Sequence, residues 1–328
     1  MPAVQVEALT KDFDGLRAVD EVSFTIERGR IFGLLGPNGA GKSTTLAMLS
    51  TVLRPTAGAA WVNGFDIRER PQDVRRSIGI VFQDQSLDEE LTAWENMDMH
   101  GRLYHVPREE RRRRIGELMA LVGLADRAGD LVKTYSGGMR RRLEIARGLL
   151  HEPAVLFLDE PTLGLDPQTR NHLWTYIAAL NRDQGITIIV TTHYMEEADR
   201  LCHEVAIIDH GRIVASDTPA ALKRQIGGDV VTIASSDNEA VLPRLRALPA
   251  VKAAELRDGA VSITVDQAER HVAELVTACS AAGVAVTSLA VHRPTLEDVF
   301  LHFTGRTIRE EEASGRERMR MAVRLWRR

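Results

Sequence analysis

The sequence predicts an α/β fold built on a largely parallel sheet, followed by a second, smaller unit. Three observations carry that reading. A glycine-rich loop, "GPNGAGKST", lies between a short apolar run and a helical segment. Further apolar runs of strand length, "AVLFLDE" and "ITIIVTTH", alternate with stretches of helical period. At "RQIGGDV" that alternation stops and a compact β-α-β-β-α-β order begins.

"VQVEAL" and "VSFTIE" alternate apolar and polar residues as strands do, and "RIFGLLG" is a buried-strand run closed by glycine. A helix is expected over residues 42–53. "AAWVNGFDI" reads as a hairpin turning at Asn63-Gly64, and "SIGIVFQ" as another strand. Residues 91–150 are helical and charge-rich. The arginines at 108–114 read as a solvated helix face paired with its own glutamates, and those at 140–142 as partly helix surface. A strand at "AVLFLDE", a helix over 168–184, a strand at "ITIIVTTH", a helix over 195–201 and two edge strands, "EVAIID" and "GRIVASD", complete the first unit. Interleaving of this kind argues for a largely parallel sheet. After Gly227 and Gly228 come a strand (230–234), a helix (239–248), two strands (253–256 and 261–265), a helix (267–281) and a strand (285–291). That order suits a small ferredoxin-like α+β unit. The expected domains are residues 1–226, 227–306 and a basic tail, 307–328.

A chain of 328 residues can bury two cores. A formal net charge of −4 gives no reason to expect nucleic-acid binding. Cys202 and Cys279, the two cysteines, form no metal-ligand pair, so a reducing cytosolic compartment is the default. The first residues carry no secretory pattern. No apolar run approaches the roughly 20 residues that span a bilayer, so a membrane role must come through a partner or a surface contact.

The chemistry sits in two motifs. In "GPNGAGKST", residues Gly36, Pro37, Asn38, Gly39, Ala40, Gly41, Lys42, Ser43 and Thr44 fit the phosphate-loop pattern. The glycines let backbone N–H groups close around phosphates, Lys42 reaches the β/γ oxygens, and the Ser43 hydroxyl suits Mg²⁺. "VLFLDEPT" is an apolar strand ending in two carboxylates. Asp159 can hold Mg²⁺, and Glu160 can polarise an attacking water. Gln83, after "SIGIVF", would bring a neutral amide to the metal or the water, and His193 would bring an imidazole to the γ-phosphate. A third segment, "YSGGM", feeds Ser136, Gly137 and Gly138 into a helix start, a second place suited to an anion.

Together, "GPNGAGKST", "FQ", "YSGGM", "LFLDEPTLGLD" and "TTH" resemble the ATP-binding subunit of ABC transporters over about residues 4–220. The resemblance implies a P-loop NTPase domain with a mixed-sheet core and a helical subdomain. It implies ATP and Mg²⁺ as cofactors, and a homodimer packed head to tail with ATP sandwiched between the copies. Ser136, Gly137 and Gly138 of one copy would then close on the nucleotide held by the other, which accounts for two phosphate-binding helix starts in one domain. It also implies that Phe13 stacks on adenine and that Asp166 lies at the dimer seam. A separate transmembrane permease would attach near the Gln83 loop and about residues 84–133, placing the subunit peripherally at the cytoplasmic face of the cell membrane. Tyr135 and Met139 depart from the commoner Leu-Ser-Gly-Gly-Gln pattern, and leave open which side chains supplement the backbone at the nucleotide.

The C-terminal unit and "RPTLEDVFLHFTGR" resemble ATPases of the daunorubicin-resistance type, implying export of a drug, antibiotic or lipid-like compound. Two alternatives are an importer ATPase with a substrate-sensing C-terminal unit, and a non-transport ABC ATPase. The latter usually inserts a coiled coil or zinc module, or duplicates the domain; the stretch from Lys42 to Ser136 has no heptad run and no cysteine pair. In the tail, Met319, Ala322, Val323 and Trp326 fall on one helical face and Arg316, Arg320, Arg324, Arg327 and Arg328 opposite. That pattern suits an anionic membrane surface; a solvated terminus is equally compatible.

Overall fold

The computed structural model describes residues 1–257 and 259–304; the arginine-rich tail lies outside them. The chain divides into two compact units at Thr218/Pro219, ahead of the Gly227-Gly228 break.

The first unit runs β1 (Val4–Phe13), β2 (Leu16–Ile26), β3 (Ile31–Leu35), α1 (Lys42–Leu49), β4 (Ala57–Val62), β5 (Phe65–Asp66), α2 (Pro71–Ser77) and β6 (Ile78–Val81). There follow α3 (Ala93–Leu103), α4 (Arg108–Leu121), α5 (Gly137–Leu149), β7 (Val155–Asp159), α6 (Pro167–Gln184), β8 (Thr187–Thr192), α7 (Met195–Leu201), β9 (Glu204–Asp209) and β10 (Arg212–Asp217). Six strands form one sheet in the order β10-β9-β3-β8-β7-β6, parallel except for the β9–β10 hairpin. β3, β7 and β8 are buried along their whole length, as expected of strands covered on both faces. A separate antiparallel sheet, β2-β1-β4-β5, was not foreseen from the residues alone. Its β4–β5 turn is the Asn63-Gly64 hairpin, with φ of 52° and 82° at the two positions, as a type I′ turn requires. The helix expected over 42–53 stops at Leu49, because Thr51 turns left-handed at φ 63° and Val52 and Leu53 both return to the Ala47 carbonyl.

The helical stretch is its own cluster, with Met97, Ile115, Met119, Leu143 and Leu150 at its centre. Arg113 and Arg114 pair with Glu110 and Glu117, as expected of a solvated face. Arg111 does not: it is buried, bonded to Asp98 at 2.5 Å and to the Val106 carbonyl at 2.8 Å.

In the second unit, α8 (Pro219–Gln225) leads into β11 (Asp229–Ser235), α9 (Asn238–Arg246), β12 (Val251–Arg257), β13 (Ala260–Val265), α10 (Ala268–Ala281), β14 (Val286–His292) and α11 (Leu296–Thr304). The sheet order β12-β13-β11-β14 is wholly antiparallel, the arrangement a ferredoxin-like unit takes. α8 and α11 were not foreseen; they pack on each other, burying Leu222, Leu296, Val299 and Phe300. Each unit encloses one free thiol. Cys202 lies so close under β3 that a Cβ on Gly33 would sit 2.7 Å from its sulfur, and Cys279 belongs to the core of the second sheet.

Candidate active site

Three neighbouring strand ends build the site. β3 and β8 pair Leu35 with Thr192, and β7 and β8 pair Asp159 with Thr191, so the segments leaving all three emerge side by side. After β3 the chain turns through residues 36–41 into α1. The turn demands glycine: a Cβ on Gly36 would lie 2.2 Å from the Ile208 carbonyl oxygen, and Gly41 has φ 104° with the Ala18 carbonyl oxygen 2.5 Å from where its Cβ would be. Lys42 opens α1 yet is buried. Its Nζ donates to the carbonyls of Gly36 at 2.8 Å and Pro37 at 3.0 Å, and lies 3.2 Å from Glu160 Oε1. Pro37, Ala40 and Gly41 are buried while Asn38, Gly39 and Ser43 are exposed, with Thr44 between. The Ser43 hydroxyl donates to Asp159 Oδ1 at 3.0 Å, and Thr191 donates to the same oxygen.

Glu160 takes a left-handed φ of 47°, held by its N–H donating to the Thr191 carbonyl and hydroxyl, both at 3.1 Å. His193 Nδ1 lies 2.7 Å from its Oε2. Burial alone would raise this carboxyl, but the His193 hydrogen bond and the Lys42 charge outweigh it and hold it below its ordinary value. Lys42, Ser43, Asp159, Glu160 and His193 therefore form one bonded cluster. Gln83 stays exposed on the loop after β6 and, among the described residues, has no hydrogen bond to Asp159 or Glu160. Phe13 closes β1, 43% exposed, with the Lys11 ammonium 4.9 Å from its ring centre.

Oxygen donors from Ser43 and Asp159 fit a hard divalent cation. Among the described residues no three His, Cys, Asp or Glu side chains are grouped to hold a metal alone.

The second helix start lies apart from this cluster, with no hydrogen bond between them among the described residues. Ser136 caps α5, accepting from the Met139 N–H at 3.3 Å, and Ser136 and Gly137 are exposed. Asp166 caps α6, accepting from the Thr169 hydroxyl at 2.6 Å and N–H at 3.0 Å, contacts that hold its carboxyl below the usual range. A Cβ on Gly138 would lie 2.4 Å from Thr169 Cγ2, so the two caps touch. Tyr135 turns inward: it is buried and its hydroxyl donates to the Arg127 carbonyl at 2.7 Å. Met139 also packs on the helical core.

Arg141 departs from the helix-surface reading of residues 140–142, because it is 7% exposed and bonded to backbone carbonyls beside Glu160. Its partner Glu144, three residues on, is 1% exposed and was also missed. An Arg–Glu pair at that spacing was the available signal. Glu197, on α7, is a further buried carboxyl; it accepts from the Thr162 hydroxyl at 3.0 Å and the Trp174 indole at 2.8 Å, and burial pushes it up.

A phosphate loop at the end of a central parallel strand, with a carboxylate pair at the end of the strand next but one, defines a P-loop nucleoside-triphosphatase. The particular family follows from comparison. Residues 19–163 match the family described as ABC transporter, and residues 218–304 match the ATP-binding protein DrrA1-3-like C-terminal domain. The chain is 42% identical to the daunorubicin/doxorubicin resistance ATP-binding protein DrrA of Streptomyces peucetius, over 97% of this chain and 98% of that one. It is 39% identical to the linearmycin resistance ATP-binding protein LnrL of Bacillus subtilis, over 94% of this chain and 100% of that one. Among solved structures, a dimeric ATP-binding cassette in a post-hydrolysis state bound to ADP and phosphate matches 66% of this chain and 98% of its own, with a TM-score of 0.60 and 28% identity. The chain belongs to the ATP-binding subunits of ABC transporters, of the DrrA type, and is an ATPase.

Proposed function

We propose that this subunit drives export of a drug, antibiotic or lipid-like compound through a separate membrane permease, hydrolysing ATP between two copies packed head to tail. The observation that carries this reading is the split site: Lys42 and His193 hold Glu160, Ser43 holds Asp159 and Thr191 joins the two groups, while Ser136 and Gly137 stand exposed and share no hydrogen bond with them among the described residues. Sealing the site then requires a second copy, and the relative solved as a dimer supports that arrangement. The resistance proteins related over nearly the whole chain support export.

In this scheme the amides of residues 36–44 and the Lys42 ammonium hold the phosphates, and Phe13 stacks on the base. Ser43, Asp159 and Gln83 hold Mg²⁺, which when bound neutralises phosphate charge. Glu160, kept ionised, takes the proton of the attacking water, and His193 fixes the carboxylate and reaches toward the γ-phosphate. Ser136, Gly137, Gly138 and Asp166 act across the seam. Among the described residues no helix is long and apolar enough to cross a membrane; attachment is assigned to the permease, which holds the subunit at the cytoplasmic face.

Mixing subunits mutated at Lys42 with subunits mutated at Ser136 tests the scheme. Half of randomly formed dimers are mixed, and each holds one intact site of two, so turnover should return to at most roughly a quarter of wild type. Turnover no higher than either parent alone would overturn it.

A further inference from the structure

We infer that Arg141 and Glu144 form a positioning pair that ties both ends of the Gln83 loop to the backbone carrying Glu160. The inference rests on the roles proposed above for Glu160 and the Gln83 loop.

The guanidinium of Arg141 is satisfied almost entirely by main chain. Its Nε donates to the Pro161 carbonyl at 2.9 Å and its Nη2 to the Asp159 carbonyl at 2.8 Å, so it grips the carbonyls of the residues on either side of Glu160. Its Nη1 donates to the Phe82 carbonyl at 2.6 Å, immediately before Gln83, and to Glu144 Oε2 at 3.0 Å. Glu144 Oε1 accepts from the Ser86 N–H at 2.8 Å, and Arg147, one turn further along α5, donates to the Ser86 carbonyl at 2.7 Å. Residues 82–86 are thus held at both ends by one face of α5, the helix that begins at Ser136.

Only arginine offers this fork. A lysine keeps the charge opposite Glu144 but places a single ammonium where three nitrogens bridge carbonyls from two loops. Charge-assisted bonds to buried carbonyls are strong and directional, and Glu160 stands in a left-handed conformation that its surroundings must enforce. Displacement of the Gln83 loop, the segment assigned to the permease side, would therefore pull on the Asp159 and Pro161 carbonyls that flank the base.

The test uses the full-length subunit carrying Arg141→Lys, Glu144→Gln, both together, and Glu160→Gln as reference. Arg141→Lys is expected to melt within a few degrees of wild type and keep its KM for ATP within about threefold. Its kcat should fall about a hundredfold, the cost of a slightly misplaced reacting group. The double variant should be no slower than the slower single variant, since Arg141 and Glu144 act through one connection. Wild-type kcat in Arg141→Lys, or kcat and ATP affinity falling together with melting temperature, overturns the inference; so does strict additivity with Glu144→Gln. Failure of the underlying reading is separable: it shows as wild-type turnover in Glu160→Gln, whatever Arg141→Lys does.

Discussion

Replacing Glu160 with glutamine removes one charge from a buried pair and leaves the other in place. At the 3.2 Å separation from Lys42, an effective dielectric of 20 gives a gross attraction of about 5 kcal/mol. Most of that offsets the desolvation of two ions, so the intact pair adds little net stability. Removing one partner alone leaves a buried ammonium, which ordinarily costs about 3–5 kcal/mol. Here the carbonyls of Gly36 and Pro37, at 2.8 and 3.0 Å, still accept from Lys42 and reduce that to about 1–3 kcal/mol. Without nucleotide, Glu160→Gln should therefore melt about 2–12 °C below wild type, for a domain of this size. ATP supplies the missing negative charge, so its stabilising shift should be larger in the variant than in wild type. Turnover should fall by about 10²–10⁴, the range for loss of a general base. Thermal melting with and without ATP, beside single-turnover phosphate release, measures both. Equal melting and equal ATP shifts, or turnover within about threefold of wild type, would refute the reasoning.

Gly138→Ala should abolish ATP-dependent dimerisation while leaving nucleotide binding to the monomer unchanged, because the new methyl meets Thr169 Cγ2, whose hydroxyl is fixed to Asp166. Adding Thr169→Ser removes the obstructing methyl but keeps the hydroxyl, so gel filtration should recover the dimer; no recovery rejects the steric account. Glu197→Gln should alter the pH dependence of stability. Burial raises the native carboxyl above its ordinary 4.5, so the native state keeps its proton where the unfolded chain has lost it. Wild-type stability is then full below that value and declines as pH rises toward the native one, by about 1.4 kcal/mol per pH unit. The glutamine variant lacks that decline, so the melting difference should move in its favour from pH 4.5 upward; a constant difference would reject the assignment.

The phosphate loop and the carboxylate pair were readable because each depends on local order: glycines before a helix, and acids at the end of an apolar strand. The Asn63-Gly64 hairpin was readable for the same reason. Arg141 was not, because three adjacent arginines look alike until the carbonyls of Asp159, Pro161 and Phe82 converge on one of them. Arg111 repeats the lesson at Asp98. Tyr135 likewise shows its direction only in the packed helical core. α8 and α11 escaped notice because both are short and gain their stability from each other.

One sealed sulfhydryl sits in each half of the molecule, Cys202 beneath the nucleotide-loop strand and Cys279 inside the second sheet. Neither can be alkylated until its own half comes apart. Timed modification followed by mass mapping of the two tryptic peptides would thus clock the breathing of each half separately, with no engineered reporter and no assumption that the two open together.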